Sequence, residues 1–307
     1  MSINRRKFLG LTSVTGSALL LSSLDSFAAA PVSLAGSNKN YELLILATNW
    51  GFSGNYDEFC ARIKKEGYNG MEVWVPGDDK GRNELADAVK KHQVSLGLLC
   101  GGSDRDPQKH LIQFKEALIA GTKLNPIYIN CHSGKDYFSF DQNKPFIDFT
   151  TQVTKQTGIP IYHETHRGRT LYSAPVTKNY IDKLPDMRIT ADLSHWCAVH
   201  ESLLADQPET LELTLSRTEH IHARVGHAEG PQVSDPRAPE WDNAVRQHFN
   251  WWDKVVERKK KNGERLTILT EFGPPDYLWT LPYTRQPVAD QWGINVHMMN
   301  VLRKRYS

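Results

Sequence analysis

The stretch IPIYHETHRGR (159–169) runs from apolar residues into three ionisable side chains, His163, Glu164 and His166, within four positions. A surface loop carries such residues freely. A strand end inside a barrel does not, because a buried carboxylate without a partner costs several kcal/mol or is driven to protonate. If Tyr162 faces inward on a strand, Glu164 and His166 share its face.

Working outward, the same pattern recurs. Apolar runs stand at ELLILATNW (42–50), GMEVWVP (70–76), SLGLLCGG (95–102) and PIYINCHSG (126–134), ahead of the opening stretch. MRITADLSHW (187–196), HIHARVGH (220–227) and RLTILTEFG (265–273) follow it. Longer amphipathic segments separate them, such as YDEFCARIKKEG (56–67), where Phe59, Ala61 and Ile63 oppose Arg62, Lys64 and Lys65. Gly67, Gly121, Gly158 and Gly263 stand where helices should stop. Eight strand-helix repeats in one domain predict an α/β fold, a (β/α)8 TIM barrel. A doubly wound open sheet is the alternative, but it requires no count of eight, and no glycine-rich dinucleotide loop is present. The connection HAEGPQVSDPRAP (227–239) is expected to be the longest irregular piece after a strand, on the catalytic rim.

The first residues differ from the rest. MSINRRKFLG leads into a short apolar segment and then SFAAAP. The Arg5-Arg6 pair with Phe8-Leu9 resembles a twin-arginine export signal; an ordinary secretory signal is the alternative. The expected organisation is a signal peptide over 1–30, a flexible linker over 31–40 and the barrel over 41–307, exported to the periplasm without stable membrane insertion after cleavage. A formal net charge of +2 over 307 residues gives no global field for nucleic acid. ERKKKNGER (257–265) reads as a solvated helix end, and four scattered cysteines imply neither a disulfide framework nor a thiolate zinc site.

Ionisable residues gather at the C-terminal strand ends, where barrel enzymes build their sites. Glu164, Asp192, His222 and Glu271 end the fifth to eighth strands. Three carboxylates converging with an imidazole would repel one another, and a divalent cation resolves the conflict. This donor set suits one Mn, Mg, Co or Zn ion. Taken singly, a glutamate at a strand end is more often a surface or ion-paired residue and an HxH more often structural; the ordered set of four favours the ion.

These residues resemble the xylose-isomerase-like TIM barrels of the sugar phosphate isomerase/epimerase family. The resemblance implies that Glu164, Asp192, His222 and Glu271 bind one divalent metal. The family's DxxH pattern is present as Asp192 and His195, and GYNGMEVW (67–74) resembles the second-strand signature, with Glu72 near the barrel interior and expected, with Trp74, to contact substrate. It implies proton removal and return by Glu164 and Glu271 through an enediolate. His195 and Arg224 become substrate contacts, with His166 and His132 as further ones. Arg167 reaches either an acid group on the substrate or a neighbouring carboxylate. Trp50, Trp74 and Trp196 are core or sugar-stacking residues, while Trp251 and Trp252 are packing residues. The expected activity is isomerisation or epimerisation of a free or oxidised sugar. Elimination or hydrolysis of a 3-keto glycoside is the alternative, and a non-catalytic carbohydrate-binding barrel the third reading. The partner is thus a small sugar or keto-glycoside, with homo-oligomerisation left open.

Overall fold

The computed structural model describes residues 40–307; the expected signal peptide and nearly all of the expected linker fall outside the described residues. Eight parallel strands close into a barrel in chain order, β1 pairing with β8. They are β1 (Glu42–Thr48), β2 (Gly70–Trp74), β3 (Ser95–Gly101), β4 (Tyr128–His132), β5 (Ile161–Glu164), β6 (Ile189–Ala191), β7 (Thr218–His222) and β8 (Arg265–Thr270). Helices α1 (Tyr56–Glu66), α2 (Asp79–His92), α3 (Pro107–Thr122), α4 (Phe140–Thr157) and α5 (Ala174–Lys183) follow the first five strands. Two short helices, α6 (Leu193–Val199) and α7 (Pro208–Ser216), follow β6, and α8 (Asp242–Asn262) and α9 (Gln291–Tyr306) follow β7 and β8. The (β/α)8 architecture is therefore the one expected.

Local chemistry sets the boundaries. Asn55 and Glu58 form a capping box at the start of α1, as Ser139 and Gln142 do on α4. Gly67, Gly158 and Gly263 end α1, α4 and α8 at positive φ. Gly121 does not stop its helix. It lies inside α3, where an added Cβ would come within 3.0 Å of Val75 Cγ2, so it permits close helix-sheet packing. On α1 the buried stripe is Phe59, Cys60 and Ile63, with Ala61 exposed.

Two sequence expectations change. The run MRITADLSHW holds only three strand residues, because Asp192 caps α6 by accepting from Ser194 N at 3.1 Å. The longest irregular segment after a strand is the one after β8, residues 271–290, and not 227–239. Pro274, Pro275, Pro282 and Pro287 remove amide donors along it and keep it from continuing as strand or helix. Lys259 also departs from the solvated reading: it is buried and pairs with Glu219 and with Glu264, the latter at 2.8 Å.

Strand alternation fills the barrel interior with Leu46, Tyr128 and Leu269, packed against Leu44 and Tyr162. Gly97 on β3 makes room for Tyr128, since a Cβ there would stand 2.6 Å from the phenol. On this inward face polar residues replace apolar ones toward the strands' C-terminal ends.

Candidate metal centre

His163 and Glu164 are adjacent on β5 and face opposite ways. His163 packs outward and buried, with its ring nitrogens 2.7 Å from Ser133 Oγ and 2.9 Å from Thr150 Oγ1. Burial lowers its pKa to about 3, so the ring is neutral. Glu164 points inward, and its Oε2 accepts from Asn130 Nδ2 at 2.7 Å and lies 3.0 Å from His132 Nε2.

Glu164, Asp192, His222 and Glu271 all reach the same mouth. His222 Nδ1 is 2.9 Å from Glu271 Oε2 and 3.7 Å from Glu164 Oε2. One donor atom each from Asp192, His222 and Glu271 lies within 4.8 Å of the others, and the same holds for Glu164, Asp192 and His195. His222 Nδ1 and Glu271 Oε2 are both buried, stand 2.9 Å apart and have no hydrogen-bond partner. Two such neighbouring orphans fit a shared ion. In an octahedral site with ligands at ~2.1 Å, neighbouring donors stand roughly 3 Å apart. A hard carboxylate set with one imidazole suits a divalent cation.

The electrostatics agree. Glu72, Glu164, Asp192 and Glu271 bring four carboxylates to this region, and Arg224 brings one guanidinium, paired with Asp192 and 3.6 Å from Glu271. Burial favours neutral His222, but Glu271, Glu164 and Glu72 outweigh it and hold its pKa well above the ordinary value. Burial pushes Asp192 up to about 6; Arg224 opposes this, while Glu271 and Glu164 add to it. Burial also opposes charge on Glu164, yet His132 and His222 keep it well below the usual range. The cluster holds more negative charge than its lone guanidinium answers, and an ion would displace the proton from His222.

Above it opens a cavity of about 420 Å³. It is lined by Glu271, Arg224, His132 and His166 together with Trp50, Trp74, Leu99, Tyr277 and Glu72. Arg224 donates to Asp192 and to Ser194 Oγ (3.1 Å), and its Nη2 lies 2.7 Å from His195 Nε2. The His166 ring is centred 3.8 Å from His195 and 4.5 Å from His132. Burial lowers the pKa values of His166 and His195, and the nearby Arg224 guanidinium acts the same way, against Glu164. Trp74 stands edge-on to His132, with ring centroids 5.2 Å apart. Trp196 is core, donating to Leu171 O at 2.9 Å, and Trp251 and Trp252 are buried packing residues. Arg167 is exposed and lies over the Tyr277 ring, 5.4 Å from its centroid.

Sequence reading passed over Asn130, Ser194 and Tyr277. Alternation could have found Asn130, two residues before His132 on the same inward face. Asp-x-Ser at the start of α6 was legible as a cap that also orients Asp192. Tyr277, in the loop after β8, carried no periodic signal.

A model of the xylose isomerase-like TIM barrel matches residues 60–250, more than half of the chain. No curated protein matches at a significant level. Among solved structures, a D-tagatose 3-epimerase-like protein aligns with TM-score 0.59 at 13% identity, over 85% of this chain and 97% of its own. The 3-keto-D-glucoside 4-epimerase from E. coli aligns with TM-score 0.54 at 17% identity, over 85% and 99%. An AP endonuclease of family 2 from Brucella melitensis aligns with TM-score 0.53 at 13% identity, over 76% and 93%. At such identities the likeness is one of fold, and neighbours of this fold include both sugar enzymes and a nuclease. The chain belongs to the xylose isomerase-like TIM barrel family.

Proposed function

We propose that this protein is a divalent-metal-dependent sugar isomerase or epimerase acting on a free or oxidised sugar. The carrying observation is the pair of buried, unbonded donors His222 Nδ1 and Glu271 Oε2, set among the carboxylates of Glu164 and Asp192. These four residues would hold the ion. When bound, it supplies positive charge that acidifies a C–H beside a carbonyl and stabilises the anion that follows.

The protein's own groups do the rest. Glu271 borders the cavity and at 12% is the most exposed of the three carboxylates, so its oxygen not committed to the ion is the one best placed to take a proton from the substrate. Glu164 is the second proton-handling carboxylate. Its Oε2 lies beside cavity-lining His132, so a proton exchanged with Glu164 passes by that ring. Arg224, already charged and fixed by Asp192, offers donors to substrate oxygens from one side, and His166 and His195 contribute neutral imidazoles. Trp50, Trp74 and Tyr277 cover the apolar face of a sugar ring and exclude water from it.

A second reading is favoured by one feature. Trp50 and Trp74 border the cavity yet remain 38% and 49% exposed, which leaves indole surface for a further group attached to the sugar. A 3-keto glycoside would use it, and the same proton abstraction would then end in loss of the attached group. Incubation with ordinary and 3-keto sugars, followed by mass spectrometry, separates the readings: an isomer of unchanged mass, or two fragments. Absence of either product across the panel from metal-loaded protein would overturn the enzymatic proposal. The near-balanced net charge supports a small sugar over nucleic acid as substrate. Twin-arginine export to the periplasm belongs to this proposal and rests on Arg5-Arg6. Mature protein still reaching the periplasm after Arg5→Lys with Arg6→Lys would remove it.

A further inference from the structure

Next to the four donors lies a buried polar cluster around Glu72 that neither the proposed catalysis nor packing explains. Glu72, inward on β2, reaches across the barrel to β7, a strand with which β2 does not pair. Its side chain is 2% exposed. The Tyr128 hydroxyl donates to Oε2 at 2.7 Å, and His220 Nε2 lies 3.2 Å from the same oxygen. His220 is itself anchored, its Nδ1 standing 2.9 Å from the Thr267 carbonyl, and it also meets the Tyr128 hydroxyl at 3.1 Å. Oε2 is thus anchored by the Tyr128 hydroxyl, with the His220 ring packed alongside. The other oxygen, Oε1, is buried without a hydrogen bond and stands 3.2 Å from His222 Nε2.

We infer that Glu72 is a positioning residue: its Oε1 accepts the Nε2–H of His222 and so presents Nδ1 to the ion. This rests on the metal reading above. A ring that ligates through Nδ1 keeps its proton on Nε2, and that proton needs an acceptor in a buried place. Asn130 Nδ2 also lies 3.2 Å from Nε2, but an amide N–H offers no lone pair, and it donates to Glu164 Oε2. Glu72 Oε1 is the anionic acceptor in reach. A carboxylate behind a ligating imidazole fixes its tautomer and ring angle and strengthens it as a donor. It also explains why a carboxylate is held deep in the barrel, where a leucine would pack at less cost. The first histidine of the HxH motif then has a place without touching the ion: His220, held by Thr267, packs against the Tyr128 that anchors Glu72.

The test compares wild type and Glu72→Gln after removal of metals with a chelator. Zn2+ alone is titrated calorimetrically, and the histidine tautomers of the Zn2+-loaded proteins are read by 15N NMR. The account expects affinity to fall about 10–100-fold in the variant. It also expects the His222 Nε2–H proton, far downfield in the wild type, to move upfield, a change that a loss of packing alone would not produce. Unchanged affinity and an unmoved His222 signal would overturn the inference while leaving the metal site standing. A wild type that takes up no Zn2+ would overturn both. If Glu72→Gln does not fold, Tyr128→Phe frees Oε2 from its anchor without altering charge; a several-fold loss of affinity supports the inference, and full affinity overturns it.

Discussion

The two halves of the barrel mouth differ in kind. At the ends of β5 to β8 stand Glu164, Asp192, His222, Arg224 and Glu271, ionisable and almost wholly buried. At the ends of β1 to β3 stand Trp50, Trp74 and Leu99, and Glu72 is the one acidic residue these strands bring to the same cavity. Its carboxylate reaches across the barrel to His222. The contrast separates two tasks. One half concentrates charge that an ion must balance, and its side chains exchange protons. The other offers aromatic faces, which hold a sugar ring without competing for the ion. The loop after β8 joins them, since Tyr277 packs edge-on against Trp50 at 4.9 Å while lying under Arg224.

If the division is real, breaking the charged half should stop chemistry and breaking the aromatic half should weaken binding. Glu271→Gln removes the unbonded carboxylate from the cavity and should lower kcat about 10²–10⁴-fold at saturating metal on the sugar that the product screen identifies. Near-normal turnover would take Glu271 out of catalysis.

The charged half is also backed by two histidines kept neutral by burial. His163 stands behind β5, with its pKa lowered to about 3. His248 on α8 is lowered to about 4, mainly by burial, and Arg224 adds to the effect against a bond to the Ala244 carbonyl. His248 Nε2 accepts from Gly226 N at 3.2 Å, just after β7, a bond that protonation would break. Both folded values lie below the unfolded value of about 6.5, so their contribution to stability is complete above pH 6.5. It is lost as pH falls, because the unfolded chain takes up the protons first. Each histidine should cost about 2 kcal/mol between pH 6.5 and 5, measured by urea unfolding in metal-free protein. His248→Gln should flatten that slope; an unchanged slope would mean that His248 is not the group being titrated.

The smallest effect is expected on the aromatic side. Trp74→Ala should raise KM about 2- to 10-fold with kcat nearly unchanged, as the loss of one ring contact implies. A fall in kcat equal to that of Glu271→Gln would erase the distinction between the halves.

Much of this was legible in the sequence, and the reason is alternation. The barrel's inward face reads every second residue, so Tyr162 and Glu164, His220 and His222, and Thr267 and Leu269 lie on one surface whatever the precise strand ends. The four donors follow from that register together with the rule that strands present their C-terminal ends to the site. What alternation does not carry is depth. Glu72 and Glu271 both border the cavity, yet Glu72 is 2% exposed and Glu271 12%, and only the stagger of the closed barrel decides which sits deeper. Nor does it reach residues beyond the strands. Asp192 sits at a helix cap that cuts β6 short, and Tyr277 is held by a proline-rich loop whose path depends on Gln232, which brackets Gly273 with hydrogen bonds to its N and O.

Metal content tests the central claim most directly. Protein purified without chelator, analysed for Mn, Co, Zn and Mg, should carry close to one divalent ion per chain, and Asp192→Ala should lose most of it. That variant also leaves the Arg224 guanidinium buried without its partner and should be about 3–5 kcal/mol less stable when metal-free. A wild-type chain that arrives empty and takes up none of these ions on titration, with its four donors intact, would contradict the account.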